Sequence, residues 1–326
     1  MRAKTDTERW SRRRFVGYGA ASAVLTQSGL AQTIAAPPPG APADEAARIA
    51  AANDAAEHLT VPVMINGRGP FQFVVDTGAD RSVLAEDVAV GLNLVRGSDV
   101  MVQGVVRSIN TRVVSLSSVS CGTITKQNLS MPLLPRSLMG ADGYLGLDAV
   151  DGSRVTLDFA NHVLKIGHPR PRSMYALPRL SEAYVPLRGD MGHLRSLNCR
   201  VDGVATTCFL DTGAQISVGN SRLFEAMMAR NPGYPLIGNL PITGITGGVV
   251  MAKVVEVANI RLHGINFSNA NLAIADMQIF DVWGLTRSPA LLIGMNFLRQ
   301  FAQVSIDYGM KEIRFDLASM LLARNG

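Results

Sequence analysis

The pattern that most constrains this chain is an aspartate placed directly after an apolar run, and it occurs twice. "FVVDTGA" spans residues 73–79 and "CFLDTGA" spans residues 208–214, so Asp76 and Asp211 lie 135 positions apart (211 − 76). Each run predicts a buried strand, where a carboxylate costs several kcal/mol unless it is hydrogen-bonded or used. The glycine two residues later permits a tight turn, whose backbone N–H groups can bind the carboxylate.

The repetition extends well beyond the two aspartates. Residues 60–76 parallel residues 197–211, and Asn-Gly in the first stretch and Asp-Gly in the second predict a hairpin turn in each. Further parallels join 110–131 to 251–272 and 143–166 to 290–315. Helical patterns are short and fall at 85–94 and 221–231. The chain is therefore predicted to be a tandem duplication of a mostly β domain rather than a solenoid.

Two aspartates on equivalent loops predict a specific chemistry if an internal two-fold axis brings them together. Carboxylates about 3 Å apart share one proton and titrate as a pair. The ionised partner can remove a proton from a bound water, and the protonated one can donate to a carbonyl oxygen. This chemistry needs neither a metal nor a cofactor, and we expect neither, because the five histidines are scattered without ligand spacing.

These motifs resemble those of the retropepsin-like branch of the aspartic proteases. The resemblance covers residues 60–168 and 183–317. It is carried by Asp76-Thr77-Gly78-Ala79 with Tyr144-Leu145-Gly146, and by Asp211-Thr212-Gly213-Ala214 with Leu292-Ile293-Gly294. It implies an all-β fold of two β-barrel lobes related by a pseudo-two-fold axis, with short helices.

The resemblance also implies roles for individual residues. Asp76 and Asp211 would be the catalytic pair, and Thr77 and Thr212 would carry hydrogen bonds between the lobes. The segments ending at Gly146 and Gly294 would pass behind the aspartates, and two flap hairpins would lie at 102–110 and 242–250. The expected flap and substrate-binding residues are Gly104, Val105, Asn110, Gly244, Gly247 and Gly248.

The two lobes are not identical. Neither flap segment contains the tyrosine that is familiar in pepsin flaps, so the sequence does not reveal the substrate preference. Asp76 and Gly146 are 70 residues apart (146 − 76), whereas Asp211 and Gly294 are 83 apart (294 − 211). The additional residues lie around 278–290, where we expect a loop beside the cleft.

The N-terminus predicts export. "SRRRFVG" at 11–17 matches a twin-arginine signal, and a weakly apolar stretch follows, with the small residues Gly29 and Ala31 at a plausible cleavage point. We expect residues 1–31 to be a signal peptide, the protein to be periplasmic or secreted, and no stable membrane anchor after processing. The alternative is a basic N-terminus of a cytoplasmic protein.

Net charge argues against a nucleic-acid partner. The first 31 residues carry six Lys and Arg against two acids, a net of +4, so the formal +5 of the chain falls to +1 without them. A nearly neutral chain lacks the positively charged surface that binds nucleic acid. We expect a peptide or protein substrate instead.

The predicted domain boundaries follow the changes in composition. Residues 32–58 are a Pro/Ala-rich tether, with a candidate helix at 44–59, and residues 59–168 are the N-terminal lobe. Residues 169–182 are a linker, 183–317 the C-terminal lobe and 318–326 a tail. Whether residues 32–58 act as a propeptide is left open. We expect a monomer with an internal pseudo-dimer; the alternative is that each lobe pairs with its equivalent in a second chain.

The cysteines have two interpretations. Cys199 and Cys208 flank a predicted turn, so a disulfide between them is one interpretation. Buried thiols are the other, and it is the one that we favour.

The function also has two interpretations. Because both Asp-Thr-Gly-Ala motifs are intact, we favour an aspartic endopeptidase that activates a water between Asp76 and Asp211. The alternative is a catalytically silent, exported peptide-binding module of the same fold.

Overall fold

The computed structural model describes residues 21–22, 60–161, 163–169, 182–186, 195–263 and 265–316. The predicted tether, the helix at 44–59, most of the linker and the tail lie outside the described residues. The predicted signal peptide also lies outside them, apart from β1 (Ala21–Ser22). Within the described parts of the chain, none of the helices has the length and apolar character that a bilayer crossing requires.

The first half forms a six-stranded ring with one additional strand. Its sheet has the order β2-β3-β8-β4-β7-β6-β5, and a further pairing of β2 with β6 closes the ring. The strands are β2 (Thr60–Ile65), β3 (Arg68–Val75), β4 (Val83–Ala85), β5 (Arg96–Gln103), β6 (Ser108–Cys121), β7 (Ile124–Leu134) and β8 (Gly143–Leu145). The short helices are α1 (Glu86–Gly91), α2 (Arg136–Met139) and α3 (Leu147–Val150).

The second half repeats these pairings and has one more strand, β1, beyond β15. Its sheet runs β1-β15-β16-β12-β13-β18-β14-β17, and a pairing of β16 with β17 closes the corresponding ring. The strands are β12 (Arg195–Val201), β13 (Val204–Leu210), β14 (Val218–Gly219), β15 (Leu236–Gly244), β16 (Val249–Leu262), β17 (Ile265–Ile274) and β18 (Ala290–Ile293). The helices are α4 (Ser221–Arg230), α5 (Gln278–Val282) and α6 (Met295–Leu298).

A third sheet joins the two halves. It has the order β10-β9-β19-β20-β11, in which β9 of the first half pairs antiparallel with β19 of the second, with Val155 opposite Ile306. Its strands are β9 (Arg154–Asp158), β10 (Val163–Gly167), β11 (Glu182–Pro186), β19 (Gln303–Asp307) and β20 (Glu312–Asp316). The expected all-β fold of two β-barrel lobes with short helices is confirmed.

The predicted hairpins form because their turn residues accept left-handed backbone. Asn66 and Gly67 have φ of 50° and 74°, and Asp202 and Gly203 have φ of 44° and 80°. Two successive residues of positive φ make the turn type whose twist matches that of the paired strands. The hairpins β2–β3 and β12–β13 therefore deliver equivalent strands to equivalent places in the two lobes.

The apolar core continues from the second barrel into the joining sheet. Phe267 in β17 packs on Phe297 and Phe301 with ring centroids 5.0 and 5.7 Å apart, and Phe301 packs on Phe315 in β20 at 4.7 Å. All four rings are buried. Aromatic burial of this size fixes the barrel on the shared sheet, so the lobe cannot pivot without exposing the cluster.

The three cysteines are buried thiols and no disulfide joins them. In the β12–β13 hairpin, Cys199 lies opposite Thr206 and Cys208 lies opposite Ser196, so the two thiols are not cross-strand partners. The structure therefore agrees with buried thiols and not with a Cys199–Cys208 disulfide.

Thiol labelling provides a direct check of this arrangement. Burial raises the pKa of the Cys121 thiol to about 12, and a thiol needs to ionise to react with an alkylating reagent. We expect no thiol to react in the native protein at pH 8, and three per chain to react after unfolding without reductant. A count of one after unfolding would contradict the reduced arrangement.

Candidate active site

Both aspartates lie at the ends of equivalent strands, where their backbone is fixed by a neighbouring strand. The Asp76 N–H donates to the Leu145 carbonyl and the Asp211 N–H donates to the Ile293 carbonyl, each at 2.9 Å. The two side chains are buried, with 0% and 2% of their surface exposed. β3 with β8, and β13 with β18, therefore place the two carboxyl groups in matching positions.

Each carboxylate accepts a hydrogen bond from the glycine of its own loop. The Gly78 N–H donates to Asp76 Oδ1 at 2.8 Å, and the Gly213 N–H donates to Asp211 Oδ1 at 2.9 Å. These bonds fix one oxygen of each carboxyl group. A backbone donor also offsets part of the cost of burying the acid.

Two threonines join the aspartate loops across the lobes. The Thr77 hydroxyl donates to the Leu210 carbonyl at 2.9 Å and accepts from the Thr212 N–H at 3.0 Å. In the mirror arrangement, the Thr212 hydroxyl donates to the Val75 carbonyl at 2.6 Å and accepts from the Thr77 N–H at 3.2 Å. These four buried bonds hold the two loops at one fixed separation.

The loops are close enough to exclude even a methyl group. A Cβ atom on Gly78 would lie 2.8 Å from Asp211 Cγ and 2.9 Å from its Oδ2. The backbone that binds the Asp76 carboxylate is thus in contact with the Asp211 carboxylate. Only glycine fits at Gly78, and the two carboxyl groups share one small buried region.

A second pair of glycines fits closely behind the aspartate loops. A Cβ on Gly146 would lie 2.8 Å from the Ala79 carbonyl oxygen, and one on Gly294 would lie 2.8 Å from the Ala214 carbonyl oxygen. The residue after each glycine donates to the same carbonyl, also at 2.8 Å. Ala79 and Ala214 are buried, so these segments form the floor under the site.

The tips of the two predicted flap segments contact each other. The β5–β6 hairpin has its tip at 104–107 and the β15–β16 hairpin has its tip at 245–248. Arg107 Nε donates to the Thr246 carbonyl at 2.9 Å, and the Thr246 hydroxyl donates to the Arg107 carbonyl at 2.7 Å. Val105 is buried in the apolar cluster of the second lobe that contains Ala214 and Ile216.

The expected flap residues divide into those at the tips and one that is elsewhere. Gly104, Val105, Gly244, Gly247 and Gly248 lie at or beside the tips, and the would-be Cβ atoms of Gly247 and Gly248 contact the Arg107 side chain. Asn110 lies further along β6, exposed and opposite Met101.

The additional residues of the second lobe form a helix and a loop that contact the first flap. Gln278 Nε2 in α5 donates to the Ser108 hydroxyl at 2.7 Å, and the Ile279 N–H donates to the Val105 carbonyl at 3.4 Å. Trp283 stacks on Phe209 of β13 with ring centroids 4.1 Å apart. This segment therefore holds the flap of the opposite lobe.

The sequence analysis missed two serines that support the floor. The Ser82 hydroxyl accepts from the Gly146 N–H at 3.1 Å and donates to Asp148 Oδ1 at 2.6 Å. The Ser217 hydroxyl accepts from the Gly294 N–H at 2.9 Å and donates to Asn296 Oδ1 at 2.7 Å. Each serine lies six residues after its aspartate (82 − 76 and 217 − 211). An alignment of the two halves would therefore have identified the two serines as equivalent.

The residue that accepts the serine hydrogen bond is an acid in the first lobe and an amide in the second. Burial raises the pKa of Asp148, and the hydrogen bonds from Ser82 and the charge of Arg81 only partly oppose the rise. The second lobe has the neutral Asn296 instead. Burial and the nearby charges of Asp76 and Asp211 also raise the pKa of Tyr308, which therefore stays protonated.

The raised pKa makes stability depend on pH. As pH rises from the ordinary Asp value of 3.8 through the raised folded value, the unfolded chain loses the Asp148 proton before the folded chain does, so stability falls. Asp148→Asn should remove this fall. We expect the unfolding free energy of Asp148→Asn minus that of the wild type to be more positive at pH 7 than at pH 4, measured by urea unfolding.

The reverse substitution is the matched control for that prediction. Asn296→Asp places a carboxyl group in the equivalent position of the second lobe, and its stability difference from the wild type should become more negative between pH 4 and pH 7. Asp76 and Asp211 are unchanged in every variant, so any pH dependence that they contribute cancels in these differences. A pH-independent difference for Asp148→Asn would contradict the assignment.

No cluster suited to a metal ion is evident where the chain is described, since no three His, Cys, Asp or Glu side chains gather in one place. The arrangement instead offers two adjacent buried carboxyl groups, together with two predicted flaps whose tips are hydrogen-bonded to each other. Such a pair can activate a water and protonate a leaving group.

Comparisons with known proteins agree with this geometry in both halves. A family model described as aspartyl protease matches residues 61–149, and one described as gag-polyprotein putative aspartyl protease matches residues 197–300. No curated protein matches the chain. The two lobes described above are thus two aspartyl protease domains of the retropepsin-like type, arranged in tandem.

Proposed function

We propose that this protein is an aspartic endopeptidase in which Asp76 and Asp211 of one chain activate a single water. The observation that carries the proposal is the contact between the two loops, in which Gly78 binds the Asp76 carboxylate and lies against the Asp211 carboxyl group. Both aspartyl protease domains contribute one aspartate to that contact. Neither domain has a second copy of the motif.

The proposed reaction begins with one ionised and one protonated carboxyl group. The ionised group removes a proton from the water, which attacks the peptide carbonyl carbon, while the protonated group donates to the carbonyl oxygen. In the tetrahedral intermediate, the newly protonated carboxyl group donates its proton to the leaving nitrogen, and the newly ionised one removes a hydroxyl proton. The C–N bond then breaks, which gives a carboxylic acid and an amine. The pair then holds one proton again, so acid and base are regenerated together.

The flaps suggest the shape of the substrate. Among the described residues, β5 is the outer strand of its sheet, and β15 is followed outward by the two-residue strand β1 alone. Strands at or near an edge can hydrogen-bond an extended peptide along its backbone. The flap tips are joined through Arg107 and Thr246, so a peptide bound beneath them would be held between the joined flaps and the aspartate loops. We propose an extended peptide or protein segment as substrate, cleaved by a single chain in the periplasm or outside the cell.

The test is cleavage of a diverse peptide mixture from about pH 3 to 8, analysed by mass spectrometry beside Asp211→Asn. We expect cleavage by the wild type at acidic to neutral pH and none by the variant. Binding of peptides without any cleavage across this range would favour a silent peptide-binding module and would contradict the proposal.

A further inference from the structure

A short strand from the N-terminal region covers the edge of the second flap. Ala21 and Ser22 pair antiparallel with β15, with Ala21 opposite Gly244 and Ser22 opposite Thr243. The other neighbour of β15 is β16, so β15 would be the outer strand of its sheet without this pairing. A segment more than 200 positions away in sequence thus supplies the last strand (243 − 22).

The covered edge belongs to the candidate active site. Gly244 immediately precedes the flap tip that contacts Arg107. Two buried apolar side chains of β15, Leu240 and Ile242, lie in one cluster with Ala214 and Ile216, which follow Asp211 in its loop. A strand paired at Thr243 and Gly244 therefore runs along the flap arm that packs on the aspartate loop.

The equivalent edge of the first flap has no such partner. β5 ends the sheet order of the first lobe, and within the described residues no strand lies beyond it. The pairing is thus not a repeated part of the barrel. It is an addition to one of two equivalent edges, as expected for a bound peptide rather than for a structural strand.

We infer that the segment around Ala21 and Ser22 docks on the β15 edge as a substrate strand would, and that it blocks other peptides while it remains attached. The composition suits this role, because residues 16–24, "VGYGAASAV", contain no charged side chain and no proline. Docking within one chain also acts at a high effective concentration, so a weak pairing is enough to fill the edge.

The consequence for activity rests on the proposed function. Residues 1–31 are expected to be a twin-arginine signal, and that route carries proteins that have already folded. The docked segment then keeps the cleft occupied in the precursor, and removal of the signal frees it. The protease is silent before export and active after it.

Disulfide trapping tests the docking itself. The test protein is the full chain with Asp211→Asn, which prevents self-cleavage, and with Ser22→Cys and Thr243→Cys. Opposed residues in an antiparallel pair have Cα atoms roughly 4.5–5.5 Å apart, within the range of a disulfide. The control pairs Ser22→Cys with Asn239→Cys, which lies four residues further along β15, roughly 13 Å away.

We expect the 22–243 pair to form an intramolecular disulfide at least tenfold faster than the 22–239 pair under mild oxidation. The native thiols are buried and do not compete. Equal rates, or no cross-link in either variant, would overturn the docking.

Peptide binding tests the blocking. The probe is a fluorescein-labelled peptide of residues 16–27, added to the full Asp211→Asn chain with and without Ala21→Pro and Ser22→Pro. Proline removes the N–H groups that pair with a strand. The control carries Gln32→Pro and Thr33→Pro, outside the paired residues.

We expect the probe to bind the 21/22 proline variant at least tenfold more tightly than the parent and the control variant. Equal affinity for all three chains, or no binding to any, would overturn the inference. Neither readout uses catalysis, so a failure of the proposed function shows separately, as the absence of peptide cleavage.

Discussion

Asp76→Asn and Asp211→Asn are each expected to lower kcat/KM for a cleaved peptide by about 10³-fold or more. An amide cannot remove a proton from water or pass one to the leaving nitrogen, and proton transfer of this kind contributes up to roughly 10⁴-fold. Either substitution is sufficient, because the two carboxyl groups act as a pair. Steady-state kinetics on one cleaved peptide measures the effect.

The fold should survive both substitutions. An asparagine Oδ1 can still accept the hydrogen bond that Gly78 or Gly213 donates to the aspartate. The melting temperature should therefore stay the same or rise, since a buried carboxyl group is removed from each site. Asp87→Asn, at an exposed aspartate of α1 that is paired with Arg136, is the matched control and should keep full activity.

The second large effect is expected at the floor of the site. A Cβ on Gly294 would lie 2.6 Å from the Ile216 carbonyl oxygen and 2.8 Å from that of Ala214. Both atoms are backbone, and both belong to the loop that follows Asp211, so neither can move aside without moving the aspartate. Gly294→Ala should cost about 2–3 kcal/mol of unfolding free energy, as overpacked cores do, and it should lower activity as well.

Gly91→Ala is the control for that substitution. No heavy atom lies within 4 Å of a Cβ at Gly91, which ends α1 with an unexceptional φ. Alanine there should be neutral or stabilising by up to about 1 kcal/mol. Urea unfolding gives the unfolding free energy of both variants. Gly294→Ala reports the effect of a close contact, and Gly91→Ala reports the effect of replacing glycine by alanine alone. Equal unfolding free energies for Gly294→Ala and Gly91→Ala would show that the floor has room for a methyl group and would contradict the prediction.

Features that depend on neighbouring residues could be predicted from the sequence. The hairpin turns at Asn66-Gly67 and Asp202-Gly203 follow from residues that accept positive φ. The helices at 86–91 and 221–230 lie within the predicted ranges. The first ends earlier than predicted, because Asn93 takes the left-handed conformation with φ of 55°.

Features that join distant segments could not be predicted in the same way. Arg107 and Thr246 are 139 residues apart. Both lie in predicted flap segments, but their reciprocal hydrogen bonds appear only when the lobes are in place. The same holds for the pairing of β9 with β19 and for the contact of Gln278 with Ser108. Local pattern carries no information on such contacts, because many arrangements satisfy the same apolar alternation.

Asp148 and Asn296 illustrate an intermediate case. Both lie two residues after a floor glycine (148 − 146 and 296 − 294), so aligning the halves predicts that they are equivalent. Their different charge is visible in the sequence, but its cost depends on burial, which only the structure supplies. The lobes are thus a duplication that has become unequal, in the flap contacts as well as in the floor.

The central claim is that two lobes of one chain build one catalytic site. The most direct test is the peptide cleavage rate of an equimolar mixture of Asp76→Asn and Asp211→Asn chains, beside the wild type over a range of concentrations. The account predicts that the mixture is as inactive as either variant alone, while wild-type cleavage rises linearly with concentration. Recovery of cleavage in the mixture would show that lobes from different chains form the site and would contradict the account.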